Sequence, residues 1–532
     1  MRRFALTWGV LTLLGWLIAG TSAVADERIL TIGNPGHPAS LDPHRITGVW
    51  ENRIVGDMLM GLTTEAADGS TVAGAAKSWE VSADGLTYTF RIREHSWSDG
   101  VSVTAEDFVY SFRRMLSGET TSPYAQFFWV IENARDLTRG DAEPEALGVT
   151  ALDTSTLQIR LSQPTAYFLG LLTHFAAFPV PRHAIEAHGD DWTAAGNMPA
   201  NGAFVLAERV ANDHVRLLRN PRFFDADAVA LDGVIHVGQE DLDAQLSRFR
   251  AGELDILRDF PGGRTQWLRE RMPEAVRTAP YLGLAFFAVN HAREPLRDAR
   301  VRRALSMALQ REIIAERLLG SGEQPAWSLV PEGTANYTTP AMAQWRSLAP
   351  DERTAQARAL MRVAGYGPDR RLSLQLRYHT SENDRRVAVA AQSMWREIFV
   401  DVELERAETA VHYASLQQGN FDLGLASWLA VYDDPQTFTL LLETASGPNN
   451  LGDYSNESYD ALTAQAAASV DLAERARLLR EAEAHAVREQ ALIPIYHHAA
   501  RNLVAEHVTG WQDNLLDVHR SRFLGLRSDT GH

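Results

Sequence analysis

Thiol chemistry is closed to this chain. Its 532 residues include no cysteine, which excludes thiolate nucleophiles, disulfides, Cys-x-x-Cys metal sites and a lipid-modified N-terminal cysteine. The 17 histidines are scattered singly apart from His497-His498. Two neighbours on a strand point to opposite faces, so that pair cannot by itself converge on a metal ion. The sequence also lacks His-Glu-x-x-His, Gly-x-Ser-x-Gly, Walker and Gly-x-Gly-x-x-Gly patterns, the spacings that would place a base, a nucleophile or a phosphate cradle. Catalysis stays possible, but the sequence offers no constellation to support it.

Residues 88–115 read as strand, turn and helix. Thr87, Thr89, Arg91 and Arg93 alternate with Tyr88, Phe90 and Ile92 at the two-residue strand period, and Ser98-Asp99-Gly100 supplies turn chemistry. Thr104 then opens a Thr-Ala-Glu-Asp capping box, in which the hydroxyl and the Asp107 carboxylate satisfy free amides at a helix start, and Phe108, Phe112 and Met115 share one helical face. Two short apolar segments, residues 281–290 and 491–496, read as strands crossing between lobes. Between them a helix is expected over residues 298–319, where Val301, Ala304, Leu305 and Ala308 recur at helical spacing and Gly320 provides the stop. Further helices are expected over residues 351–364, ending at Gly365, over 383–399 and over 471–490, and residues 372–378 alternate as a strand. Helices and strands thus interleave as in an α/β layer fold. A lobe entered and left through two strands can rotate about them, which is the geometry of hinge closure. Residues 141–145, Asp-Ala-Glu-Pro-Glu, read as a solvated loop.

Arg2 and Arg3 precede an apolar run over residues 4–20, and Ala23-Val24-Ala25 offers a cleavage position before Asp26-Glu27-Arg28, the pattern of a signal peptide over residues 1–25. The apolar run is about three residues short of a typical membrane span. The paired arginines match a twin-arginine signal poorly, which leaves the general export route. The formal net charge is −17, and removing residues 1–25 takes away two arginines and no acid, leaving −19. So acidic a chain is a poor partner for nucleic acid. Its length after cleavage, roughly three domain lengths, is ample for several cores. Lys77 is the only lysine, a compositional bias to which no function attaches. An exported chain without a lipid anchor is expected in the periplasm, where an outer membrane retains it, and as a monomer.

The wording of residues 97–111, Trp-Ser-Asp-Gly followed by Thr-Ala-Glu-Asp-Phe-Val-Tyr-Ser, closely resembles the signature of the solute-binding proteins of oligopeptide ABC importers, extracellular solute-binding family 5. Ser40-Leu41-Asp42-Pro43-His44, Ser122-Pro123-Tyr124-Ala125, Asn201-Gly202-Ala203-Phe204, Arg219-Asn220-Pro221-Arg222-Phe223-Phe224, residues 295–303 and Asp434-Pro435 continue the resemblance. Each motif is weak alone, and their order and spacing together are specific. The resemblance implies an α/β, two-lobed type II periplasmic binding protein fold with an additional N-terminal subdomain and a hinge of two crossing strands. Lobe 1 would hold residues 26–283 and 498–532, with the inserted subdomain at about 62–190, and lobe 2 residues 284–497. It implies no cofactor. The partners it implies are an oligopeptide or related small molecule and the permease subunits of an ABC transporter.

In the resembled family an extended peptide lies between the lobes and is hydrogen-bonded along its backbone as though adding a strand, a mode that ignores side-chain identity. The matching stretch is residues 425–432, which brings Leu425, Ser427, Trp428, Leu429, Val431 and Tyr432 to the ligand; the same residues also read as a buried sheet strand. From the other lobe the resemblance implies Thr47, Gly48, Val49 and Tyr124, a tyrosine that reads equally as the rim of a Pro-containing turn. His497 is a further candidate. The family holds the ligand's α-ammonium with an aspartate just before a Tyr-x-x-Pro run. Here that run is Tyr432-Asp433-Asp434-Pro435, and the preceding residue is Val431. Two arginines that bind ligand carboxylates in the family fall on Leu416 and Leu425. A bare ammonium enclosed beside Val431 would be desolvated without a partner, a penalty of roughly several kcal/mol. Either the ligand is not a short peptide with both ends charged, or Asp433 or Asp434 reaches the amine and Arg385 or Arg386 the carboxylate. A binder of an opine, sugar or metal chelate, a secreted hydrolase on a related scaffold and a periplasmic chaperone stand as competing readings.

Overall fold

The computed structural model describes residues 27–337 and 339–527, so the expected signal peptide lies outside the described residues. In chain order its main elements are β1 (Ile29–Asn34), α1 (Val49–Met58), β2 (Thr87–Ile92), α2 (Ala105–Leu116), β3 (Phe204–Val210), β4 (His214–Arg219), β5 (Gly233–Gly238), β6 (Ile256–Arg258), β7 (Val276–Val289), α3 (Ala299–Ala308), β8 (Gln324–Pro325), α4 (Pro350–Val363), β9 (Leu372–His379), α5 (Glu382–Arg396), β10 (Val400–Ala407), α6 (Thr409–Gln417), β11 (Leu423–Leu429), α7 (Leu472–Glu489) and β12 (Leu492–Val504). One mixed sheet runs in the order β10-β9-β11-β7-β12-β6-β1-β5-β4-β3, with β8 paired to β12. β2 belongs instead to a separate four-stranded antiparallel sheet with Ala76–Val81, Thr156–Arg160 and Val149–Asp153.

The local readings of the strand-turn-helix unit hold for physical reasons visible in the coordinates. Tyr88, Phe90 and Ile92 are buried on one face of β2. The Asp107 carboxylate accepts from the Thr104 amide at 2.7 Å and from its hydroxyl at 3.0 Å, closing the start of α2. Phe108, Phe112 and Met115 are buried along that helix. The expected helix over residues 298–319 is a correction. α3 ends at Ala308, and a π-helical stretch, Ile313–Leu319, follows after a break before Gly320 stops it in the left-handed region. The break lets the buried Arg311 side chain turn inward to donate to the Pro494 carbonyl and to Ser306, with its guanidinium 4.6 Å above the Trp327 ring. Helical spacing alone cannot register a side chain that needs those partners.

Two apolar cores divide the main sheet. One draws on residues between Leu282 and Tyr496. The other gathers residues from Leu30 to Ile256 together with Tyr432, Val504, Val508 and Leu524, and a smaller cluster with Leu503 lies beside it. β7 and β12 run from one core to the other. They pair antiparallel from Val276 with Leu503 to Ala288 with Leu492, and the register shifts between Pro280 and Leu284. Proline has no amide for the ladder, and in the shifted stretch the Leu282 amide bonds the Leu515 carbonyl at 2.8 Å instead. A second register shift follows between Ala285 and Phe286, inside one core, so the crossing strands carry one irregularity where they pass between the cores and another just within.

Candidate functional site

The first wall of the candidate cleft is the loop leading into α1. The buried Glu51 carboxylate accepts from the amides of Ala39 at 2.9 Å, Ser40 at 3.4 Å, Thr47 at 3.0 Å and Gly48 at 2.9 Å. One acid thus closes the whole loop on itself and caps the helix. The Trp50 ring covers Gly48 so closely that a Cβ there would lie 2.4 Å from it. The Tyr124 hydroxyl donates to the Thr47 carbonyl at 2.7 Å, and its ring rests against His174 at 4.6 Å and Phe175 at 5.2 Å. Behind the loop, the Arg114 guanidinium grips Asp42 at 2.5 and 3.0 Å. Thr47, Gly48, Val49 and Tyr124 come together as expected, with Val49 49% exposed. Tyr124 acts on the loop, whose carbonyl it holds.

The second wall is β11 and the turn after it. Ser427 and Leu429 are exposed, the latter by 42%, and Trp428 turns to the other face, where its indole N–H donates to the Thr437 hydroxyl at 3.1 Å. Val431 packs against the core of the opposite lobe. Tyr432 goes further: it is buried and stacks on Tyr167 with ring centres 4.7 Å apart and planes 6° from parallel. The lobes thus touch at this end of the cleft.

Several expected site residues belong elsewhere, and these are corrections. Leu416 and Leu425 are buried in the lobe 2 core, Leu416 against Gly424, so neither stands at the cleft surface. Asp434 is fully buried in a two-pronged pair with Arg475, at 2.7 and 2.8 Å, and has no charge left for an amine. Asp433 spends one oxygen on the Ala335 amide at 2.8 Å, and burial pushes its carboxyl up. Arg385 is exposed and paired with Glu382 at 2.7 Å, while Arg386 donates to the Leu318 carbonyl. His497 faces away from Ser427, toward the Ser328 carbonyl at 3.3 Å. Its neighbour His498 is the one that reaches the Ser427 hydroxyl, at 3.2 Å, with Tyr496 edge-on to it. Burial, then Arg501 and His497, push the His498 imidazole down to about 4, so it is neutral at pH 7. Sequence reasoning missed His498, although strict alternation along β12 puts Tyr496 and His498 on one face and His497 on the other.

The arrangement can hold a molecule against a preformed loop on one side and a strand edge on the other, with the exposed Ser427 and Leu429 and the half-buried Val431 and neutral His498 as the chemistry of the second wall. Among the described residues no three His, Asp or Glu are grouped to hold a metal ion, and no helix is long and apolar enough to cross a membrane.

Similarity to known proteins agrees with this geometry. The profile of the bacterial extracellular solute-binding proteins, family 5, matches residues 70–450. The periplasmic murein peptide-binding protein MppA of Escherichia coli is 38% identical over 509 residues, covering 94% of both chains. The periplasmic oligopeptide-binding protein OppA of Salmonella typhimurium is 34% identical over 519 residues, again covering 94% of each. Among solved structures, the unliganded open form of the murein tripeptide binding protein MppA superposes with a TM-score of 0.85 at 36% identity, covering 94% of this chain and 98% of that one. The crossing strands, the two walls and these matches lead to one conclusion: the chain belongs to the bacterial extracellular solute-binding proteins of family 5 and has their two-lobed α/β fold.

Proposed function

We propose that this protein is the periplasmic solute-binding component of an ABC importer, that it takes oligopeptides between its lobes, and that it does not favour short free peptides held by two charged ends. The lobes, residues 26–283 with 498–532 and residues 284–497, with a subdomain at about 62–190 in the first, close by rotation about β7 and β12. Differential contacts of the closed form report occupancy to the permease. Relatives named for murein peptides and for oligopeptides support a peptide ligand. The observation that carries the finer reading is at Val431. An apolar side chain stands at the end of β11, Asp434 beyond it is neutralised by Arg475, and the leucines at positions 416 and 425 are core. A ligand ammonium or carboxylate enclosed there meets no charged group at positions 416, 425 or 431, only the second oxygen of the half-buried Asp433 nearby, whereas a backbone amide finds a strand edge. Longer peptides, N-blocked peptides and cell-wall-derived peptides fit these demands.

Calorimetry with free and N-acetylated forms of the same tri- to pentapeptides tests the reading. The acetylated forms are expected to bind more tightly, and tighter binding of the free amines would end it. Val431→Asp restores a carboxylate at the strand end and is expected to raise affinity for free N-termini by about tenfold or more, the scale of one charge-assisted hydrogen bond. No gain would show that the ligand's amino end lies elsewhere.

A further inference from the structure

The register shift between Pro280 and Leu284 lies against the second wall. Pro280 pairs with Ala499 and Leu284 with His497, so residues 281–283 of β7 stand opposite His498 alone. A Cβ on Gly283 would lie 2.6 Å from the Leu429 side chain and 2.9 Å from that of His498, two residues of the wall. Leu282 is fully buried and has no partner on β12. Its carbonyl accepts from the amide of Ala430, one residue past β11, and its amide donates to the Leu515 carbonyl, each at 2.8 Å. One residue of the crossing strand thus joins the end of the wall to the C-terminal segment.

That segment is fastened to both lobes within three residues. Leu515 and Leu516 pack against the lobe 2 core, and a Cβ on Gly333 would lie 3.3 Å from the Leu515 side chain. Asp517 is held by lobe 1. Its carboxylate accepts from Arg53 at 3.3 Å, from Arg258 at 2.9 Å and from Asn502 at 2.9 Å, and meets His519 at 3.1 Å. The turn that carries these residues is closed on itself. Asn514 accepts from the Val518 amide at 3.1 Å and donates to its carbonyl at 2.7 Å, and the Asp517 amide donates to the Asn514 carbonyl at 3.2 Å, with Asp517 in the left-handed region at a φ of 52°.

We propose that the turn over residues 514–518 is a third connection between the lobes, a clasp in which Leu515 and Asp517 act as positioning residues for the hinge and for the ligand wall. The bulge in β7 takes the buried Leu282 amide out of the ladder, where it needs another acceptor. Leu515 supplies that acceptor from a turn anchored on lobe 1, so the pivot is fixed at Leu282 and the end of the wall is tied to it through Ala430. The clasp restrains the lobes in the free protein and holds Leu429 and Val431, the neighbours of Ala430, in one orientation before a ligand arrives. It rests on the hinge reading above and adds to the two crossing strands the element that limits their rotation.

The chain has no cysteine, so Leu218→Cys on β4 and Val363→Cys at the end of α4, both exposed, take spin labels without a competing site. In the free protein the distance between the labels is expected to be about twice as broadly distributed in Leu515→Ala as in the labelled parent, with the Leu282 and Ala430 amides exchanging about tenfold faster. Asp517→Asn loosens the other end and is expected to give the same two changes, whereas Leu515→Met keeps the volume and should match the parent. The amides of Phe108 and Phe112 in α2 should hold their rates, which separates release of the clasp from a general loss of stability. An unchanged distance distribution or unchanged exchange in Leu515→Ala overturns the clasp. So does an effect of Leu515→Ala that Asp517→Asn does not share, because Leu515 would then be ordinary core packing. Should Asp517→Asn fail to fold, Asn514→Ala opens the turn in its place. Added N-acetylated, C-amidated tetraalanine tests closure on a peptide separately, by shortening the distance in the parent; the clasp is read without ligand and stands or falls on the free protein.

Discussion

The two walls of the cleft treat their own backbone in opposite ways. In the loop before α1 the polar groups are spent internally: Glu51 collects four amides, Tyr124 takes the Thr47 carbonyl, and Trp50 seals Gly48. On β11, β7 takes the inward groups, β9 pairs at Leu423 and Gly424 and His412 of α6 holds the Leu425 carbonyl, while no described residue bonds the outward groups of Ser427 or Leu429. The first wall offers a shape already paid for in order before any ligand arrives, and the second offers hydrogen bonds. Preorganisation of one wall reduces what binding must order, and an open edge on the other supplies contacts that any extended backbone can use.

The largest expected effect breaks the ordered wall. Glu51→Ala leaves four buried or half-buried amides without their acceptor and should destabilise lobe 1 by ~3–5 kcal/mol, read by urea denaturation, with faster amide exchange concentrated in residues 39–48. An unchanged denaturation midpoint would remove the distinction between the walls.

Next is an acid effect that both walls share. Burial pushes the imidazoles of His44 and His412 down to about 4 and that of His174 to about 3, with neighbouring arginines adding to the effect at His44 and His174. These groups are neutral when folded and free to charge when unfolded. The unfolded state therefore binds more protons below pH 6.5, and their stabilisation, complete above that pH, is lost as pH falls toward 4. Each pKa unit corresponds to about 1.4 kcal/mol, so the urea midpoint should drop steadily over this window. A flat midpoint between pH 7 and 4.5 would mean that these rings are hydrated. The smallest effect sharpens the open wall. Leu429→Pro deletes an outward amide without touching the β7 side, and should lower peptide affinity roughly fivefold with unchanged denaturation. An unaltered affinity would place the ligand off this edge.

Much of the scaffold was legible beforehand, and the site was legible only in part. The capping box at Thr104 and Asp107, the alternation of β2 and β9, and the glycine after α4 follow from neighbours a few positions apart, and the structure keeps them. The helix over residues 298–319 was misread because the chain turns extended at Leu309 before helical geometry resumes at Arg311, whose side chain then reaches Pro494 and Trp327. At the site, Thr47, Gly48, Val49, Ser427, Leu429 and Val431 came from resemblance and line the two walls of the proposed cleft. Leu416, Leu425, Asp434 and His497 did not, since burial of a leucine or pairing of an aspartate depends on partners that adjacent residues do not reveal.

The sequence by itself determined what short-range chemistry dictates: the absence of thiols and catalytic spacings, and the turn and cap residues; the valine at position 431 gained its meaning from the family resemblance. Tertiary structure alone decided that Asp434 belongs to Arg475, 41 residues away, that His498 and not His497 meets Ser427, and that α6 covers part of β11. The physical reason is reach. Helix periodicity and turns are set within one or two turns of chain, whereas which face of a strand looks into the cleft depends on register, which the β7–β12 pair shifts twice, between Pro280 and Leu284 and between Ala285 and Phe286.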